Sequence, residues 1–225
     1  MTAADANALF SYPAKAAFGR VIPKSRIYDH ARLTKTLRER FVSQVDRIIW
    51  AYKLAPETIN LPEAPCVTEI QIIQIEQRHE ALDTSVLAAI DKAIPTPLVF
   101  QLRHQQRERM AAAYKRPNEA DKAKWVVGEH FIGPWQPVEA QRQPLPIALN
   151  LGALYEQLLR HLIPHPARPG EPLAALLQRV ETIRQQQREQ QQLEAQLQRE
   201  KQFNRKVALH AQLRELTQRI EALTA

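Results

Sequence analysis

The chain has 225 residues, 44% of them apolar and 24% charged, with a formal net charge of +7. That balance is ordinary for a folded protein; no apolar run reaches the ~20 residues needed to cross a bilayer, and residues 1–13 lack the basic-then-apolar order of a secretory leader, so a cytoplasmic location is expected. The single cysteine, Cys66, excludes an internal disulfide and a cysteine-based zinc site, and is expected to be a small, partly buried apolar residue.

Residues 1–24 read as irregular, with Pro13, Gly19 and Pro23 as breakers. Ser25 is placed to cap a helix running to about Val42, with Leu33, Leu37 and Phe41 as its buried stripe. Val45–Leu54 reads as a strand, or as the end of that helix passing into one. A short strand near Thr58–Leu61 would pair, through a turn at Pro62–Pro65, with the clearest strand of the chain, Val67–Arg78. A helix over Asp83–Ile94 is stopped by Pro95 and Pro97. The apolar run Leu98–Leu102 then completes a strand–helix–strand unit, the spacing of a parallel crossover. Weaker strands follow at Arg109–Lys115 and Lys124–Phe131, joined at Asn118–Asp121. Residues 132–147 read as a proline-rich linker, Leu151–Ile163 as a helix, and Pro164–Pro172 as a second break. The fold expected is α+β or α/β: a small mixed sheet with flanking helices over residues 25–165, followed by a long C-terminal helix.

That helix is expected to run unbroken over 172–225, since no glycine or proline occurs from Leu173 onward. Leu173, Leu176, Leu177, Val180 and Ile183 start an apolar stripe that Leu193 and Leu197 resume. Leu209, Leu213, Leu216, Ile220 and Leu223 follow the alternating four-and-three spacing of a coiled-coil seam. The two stripes fall out of register around Gln202–Val207, as at a stutter or bend. Such a seam is built to pack against the domain, a partner helix or a second copy of the chain.

Positive charge is concentrated at the N-terminal end. Residues 1–54 hold ten Lys or Arg against four Asp or Glu, whereas 55–170 hold twelve against thirteen. Lys24, Arg26, Arg32, Lys35 and Arg38 are the candidates for holding DNA phosphates; a solvated helix face would carry the same charges. The sequence offers little chemistry. The seven histidines are scattered, and Pro164 separates His161 from His165. Five glycines form no phosphate-binding loop, and no hydrolase elbow occurs. One catalytic pattern survives. The order of elements loosely matches a divalent-metal nuclease core, in which a carboxylate and a Glu-x-Lys on adjacent strands hold the metal. Glu69 with Glu57 and Lys53, or Lys92 nearby, would be the equivalents, but Gln71 stands where the lysine is expected. Asp91-Lys92 reads as a helix-end pair, with Lys92 suited to the negative end of the helix dipole.

Seven stretches in order are similar to one bacterial family, domain-of-unknown-function family 4391. They are Val21-Ile-Pro-Lys24, Ile49-Trp-Ala-Tyr-Lys-Leu54, Thr58-Ile-Asn60, Glu69-Ile-Gln-Ile72, Ile90-Asp-Lys-Ala-Ile-Pro95, Leu98-Val-Phe100 and Glu200-Lys-Gln-Phe-Asn-Arg-Lys-Val207. The resemblance implies a DNA-defence setting beside helicases and methyltransferases, and it brings no catalytic residue. It bears on Lys201, Phe203, Asn204, Lys206 and Val207, of which Phe203 and Val207 would anchor a contact with the globular domain and Asn204 would cap or specify that packing; Leu209, Leu213, Leu216 and Ile220 are packing residues by their seam spacing. The missing catalytic signature, the packing helix and the localised charge lead to a non-catalytic accessory subunit without cofactor and able to contact DNA, for which the resemblance implies a helicase or DNA methyltransferase as partner. The alternative is a nuclease using Mg²⁺. A homodimer through the C-terminal helix is compatible with the seam.

Overall fold

The computed structural model describes residues 9–118, 120–121 and 125–224. Residues 1–8, the expected strand start at Lys124 and the helix end at Ala225 lie outside them. The chain divides into two compact units, Met1–Pro164 and His165–Ala225.

The first unit is built on a sheet of seven strands among the described residues: β1 (Ala17–Val21), β2 (Val45–Leu54), β3 (Ile70–Gln77), β4 (Leu98–His104), β5 (Arg107–Pro117), β6 (Trp125–Ile132) and β7 (Gln136–Pro137). β1 to β6 lie in chain order, and β7 pairs with β5 beside β6. All neighbours are antiparallel except β3 and β4, which are parallel. The parallel pair is joined through α4 (Thr84–Ala93), the crossover that its spacing predicts. The mixed sheet with flanking helices is therefore the observed class.

β3 is rich in isoleucine and is buried at nearly every position. Because successive side chains point to opposite faces, burial at consecutive positions means both faces are covered. One face carries Ile73, Ile75, Phe100 and Leu102 against Val86, Leu87 and Ile90 of α4 and Phe41 of α2 (Lys35–Gln44). α4 begins where Asp83 accepts the Ser85 N–H at 2.9 Å. α5 (Leu151–Leu162) begins where Asn150 accepts the Ala153 N–H at 2.9 Å.

Several local expectations are corrected. Residues 1–24 are not wholly irregular: a 3₁₀ turn at Ala14–Ala16 leads into β1, an edge strand with a bulge between Ala17 and Arg20. The helix expected from Ser25 to Val42 is two helices, α1 (Lys24–Ala31) and α2 (Lys35–Gln44). Arg32, at φ 50°, closes the first in the left-handed region, and Thr34 caps the second. The strand expected at Thr58–Leu61 is a single helical turn, α3 (Pro56–Ile59), because Pro56 fits the first turn and Thr58 Oγ1 accepts the Ala55 N–H at 2.9 Å. Cys66 is exposed at φ 68°, not partly buried, in the tight turn that bridges Ala64 to Val67.

The C-terminal helix is not uninterrupted. α6 (Leu173–Arg199) and α7 (Phe203–Thr224) pack on each other as a hairpin. The break falls at the foot of the register shift. There Glu200 Oε1 accepts the N–H groups of Lys201 and Gln202, both at 2.8 Å. The far ends are clasped by Arg179, which donates to both carboxylate oxygens of Glu171 at 2.8 Å, to Pro166 O at 2.8 Å and to Leu223 O at 3.0 Å. Arg168 adds a bond to Ala222 O at 2.8 Å.

Candidate functional site

Three of the sequence candidates meet where β2 ends and β3 begins. Lys53 and Gln71 are register partners across these strands. Glu69, two residues before Gln71, lies on the same side of the chain. α3 starts immediately after β2 and places Glu57 one turn beyond Lys53. Lys53 Nζ lies 2.8 Å from Glu57 Oε1 and 3.3 Å from Glu69 Oε2. Gln71 Nε2 donates to the other Glu69 oxygen at 2.6 Å. The hydrogen bond to Glu57 is the main reason the Lys53 ammonium is held above its ordinary pKa, and it holds the Glu57 carboxyl below its own.

Two carboxylates are enough to hold a Mg²⁺ that keeps several waters. Here, however, both already contact one ammonium, and Gln71 contributes only an amide. Among the described residues, no three His, Cys, Asp or Glu side chains come together as a metal-ligand group. Lys92 stands exposed in the last turn of α4. The arrangement is an ion cluster of two carboxylates on one ammonium, with one negative charge in excess.

The basic candidates divide by what they touch. Lys24 Nζ donates to the carbonyls of Val45 at 2.5 Å and Phe41 at 3.4 Å, so its charge is spent on the C-terminal end of α2. Burial lowers its pKa. Arg26, Arg32 and Lys35 are exposed. Arg38 is also exposed, with its guanidinium 5.6 Å from the centre of the Tyr28 ring. Arg40, by contrast, is paired with Asp83 at 3.0 Å.

A buried polar cluster under α4 has no counterpart in the residue spacing. Asp91 is not a surface helix-end residue: it is 2% exposed, and its Oδ2 lies 2.7 Å from His130 Nε2. Lys115 Nζ, fully buried, lies 3.6 Å from Asp91 Oδ1 and donates to the carbonyls of Asp91, at 2.5 Å, and Ile94. Lys115, not Lys92, therefore takes the carbonyls at the end of α4. Tyr155 OH donates to Ala113 O at 2.6 Å and accepts the Lys115 N–H at 3.1 Å, and burial raises its pKa. A paired aspartate and histidine can serve as a general base, but here the His130 side chain is only 3% exposed. The cluster holds the fold. A second buried carboxylate, Glu108, takes Arg103 at 2.6 Å and Arg142 at 3.2 Å, which anchors the proline-rich segment to the sheet.

The hairpin residues also divide. Leu216 is buried, and Leu209, Leu213 and Ile220 are half-buried. Phe203 and Val207 are 77% and 52% exposed, and Asn204 is exposed with them.

The chain belongs to the family described as Domain of unknown function (DUF4391), whose profile matches residues 10–220. No curated protein and no solved structure matches it. Among the described residues, no helix is long and apolar enough to cross a membrane.

Proposed function

We propose that this chain is a non-catalytic accessory subunit of a bacterial DNA-defence system, one that docks on a helicase or DNA methyltransferase and contacts DNA. The observation that carries the docking is the turn of the hairpin. Phe203 and Val207, one helical turn apart, stand exposed. Arg199, Lys201 and Arg205 line a separate surface cavity of about 730 Å³ at the same turn. Exposed aromatic and arginine side chains are the residues that anchor protein interfaces. With Lys24 committed to the end of α2, the DNA contact falls to Arg26, Arg32, Lys35 and Arg38.

The test is co-purification with the helicase or methyltransferase encoded alongside the gene. Phe203→Asp with Val207→Asp should abolish capture while the helical signal persists. A monomer with no affinity for helicase, methyltransferase or DNA would overturn the proposal. Light scattering separates partner docking from a homodimer through the hairpin, which the same exposed residues could also support.

A second reading, a divalent-metal-dependent nuclease, is favoured by one observation, the convergence of Glu57, Glu69 and Lys53. Under it, Mg²⁺ is the one cofactor required and would have to displace the Lys53 ammonium from the carboxylates. DNA cleavage in Mg²⁺ or Mn²⁺, lost in Glu69→Ala, would establish it. Cleavage unchanged by that substitution, or none with the partners present, removes it.

A further inference from the structure

We propose that the groove between β1 and α1 binds single-stranded DNA, taking an unpaired base against Phe18 and Trp50. This rests on the DNA-contacting part of the function proposed above and names its ligand and site. The groove comes from the β1 edge. Gly19, at φ 66° with open space where a Cβ would be, sits in the bulge between Ala17 and Arg20. A bulge re-aims the side chains around it, and here it stacks three of them. The Phe18 ring centre lies 4.1 Å from that of Trp50, on β2, and the Arg20 guanidinium lies 4.6 Å from the centre of the Phe18 ring. Phe18 and Trp50 are both half-buried and Arg20 is exposed, so an incoming base reaches the Phe18 ring by displacing the Arg20 guanidinium from it. Trp50 is pinned by its own N–H, which donates to Tyr52 O at 3.2 Å.

The groove encloses about 570 Å³, within the range of small-ligand pockets. Phe18 and Trp50 line it with Arg20, Arg26, His30 and Gln71, and none of its lining residues is acidic. Glu69, which receives the Gln71 amide, is paired with Lys53 at 3.3 Å. The result is an aromatic stack with positive charge on its rim. Single-strand binding sites use these two elements together: stacking supplies affinity for any base, and arginines follow the phosphates. Double-stranded DNA fits poorly, because its base faces are covered by their neighbours and cannot reach a recessed ring. An acidic peptide would use the arginines but gain nothing from the stack.

The experiment measures fluorescence anisotropy of the full chain with labelled oligo-dT of about 15 nucleotides, a length suited to sites of this kind. The same-length abasic strand and duplex are run in parallel over a range of salt. Oligo-dT should bind more tightly than either. Phe18→Leu should weaken oligo-dT binding about tenfold and leave the abasic strand unaffected. Phe18→Tyr, which keeps the ring, should restore binding, separating lost stacking from lost fold. Arg20→Ala with Arg26→Ala should weaken both strands and flatten the salt dependence. The proposal is overturned by no binding, by equal affinity for oligo-dT and the abasic strand, by tighter binding of duplex, or by polyglutamate competing as well as oligo-dT. Partner capture, read separately through Phe203→Asp, distinguishes failure of this groove from failure of the accessory-subunit reading.

Discussion

Lys115→Met is the most demanding test of how this fold is held. Methionine fills much the same volume but removes the ammonium from a fully buried position. Three acceptors then lose a donor: the Asp91 carboxylate and the carbonyls of Asp91 and Ile94. Removing one partner of a buried ion pair costs about 3–5 kcal/mol, because the other charge stays buried. Asp91 keeps His130, so the lower half of that range is expected. All three tryptophans, Trp50, Trp125 and Trp135, lie in the first unit, so urea unfolding followed by tryptophan fluorescence reports on that unit alone. Asp91→Asn combined with Lys115→Met should cost less than the sum of the two single substitutions. There is also a pH signature. Burial holds the Lys115 pKa below its ordinary 10.5, against the pull of Asp91. Between the lowered folded value and 10.5 the unfolded chain therefore binds more protons. The stability of the native sequence relative to Lys115→Met should rise with pH across that window. A loss under ~1 kcal/mol, strict additivity with Asp91→Asn, or a flat pH difference would each refute the reasoning, since an exposed pair behaves that way.

Other outcomes follow from the same geometry. Arg179 and the Arg168 N–H hold the Glu171 carboxyl at about 2, below its ordinary 4.5. This contribution is present above 4.5 and is lost as pH falls toward 2, so the hairpin should lose far-UV helical signal in that interval, and Arg179→Met should remove the acid step. Ile73→Ala, at a fully buried position in the sheet core, should cost about 2–5 kcal/mol by tryptophan-monitored unfolding. Asn150→Ala removes the cap of α5 and should cost about 0.5–2 kcal/mol in the same assay. Gly152→Ala places a methyl 2.9 Å from Ala64 Cβ; it should destabilise the first unit and speed proteolysis of the 64–67 turn.

How much of this was legible depended on the distance over which each feature is decided. β3, β4 and the helix between them are visible in the isoleucine run and the prolines after Ile94, because burial on both faces and a helix stop are local demands. The convergence of Lys53 with Glu57 and Glu69 could be anticipated, since a strand end and the next strand's start must meet. The hairpin could not be read. Glu200, Lys201 and Gln202 are good helix formers, and the chain reverses there because α6 and α7 gain more by packing on each other than one continued helix would. The out-of-register stripes were the trace of that choice. Asp91, Lys115 and His130 lie on three elements, and no spacing rule connects them. Phe18 and Arg20 fall in a segment that reads as irregular, and their relation to Trp50 exists only once the bulged edge strand has paired.

The hairpin clasp has a mechanical side. α7 runs from Phe203 to Thr224, and at the usual helical rise Phe203 sits about 30 Å from Leu223, which the arginines grip. Load applied at the turn acts through a long arm on a few hydrogen bonds at the base. A small rotation there becomes a displacement of several ångströms at the tip, and a partner that grips the tip holds a handle on residues 166–179. Cutting back the last turn of α7 would release that handle while leaving the exposed aromatic in place.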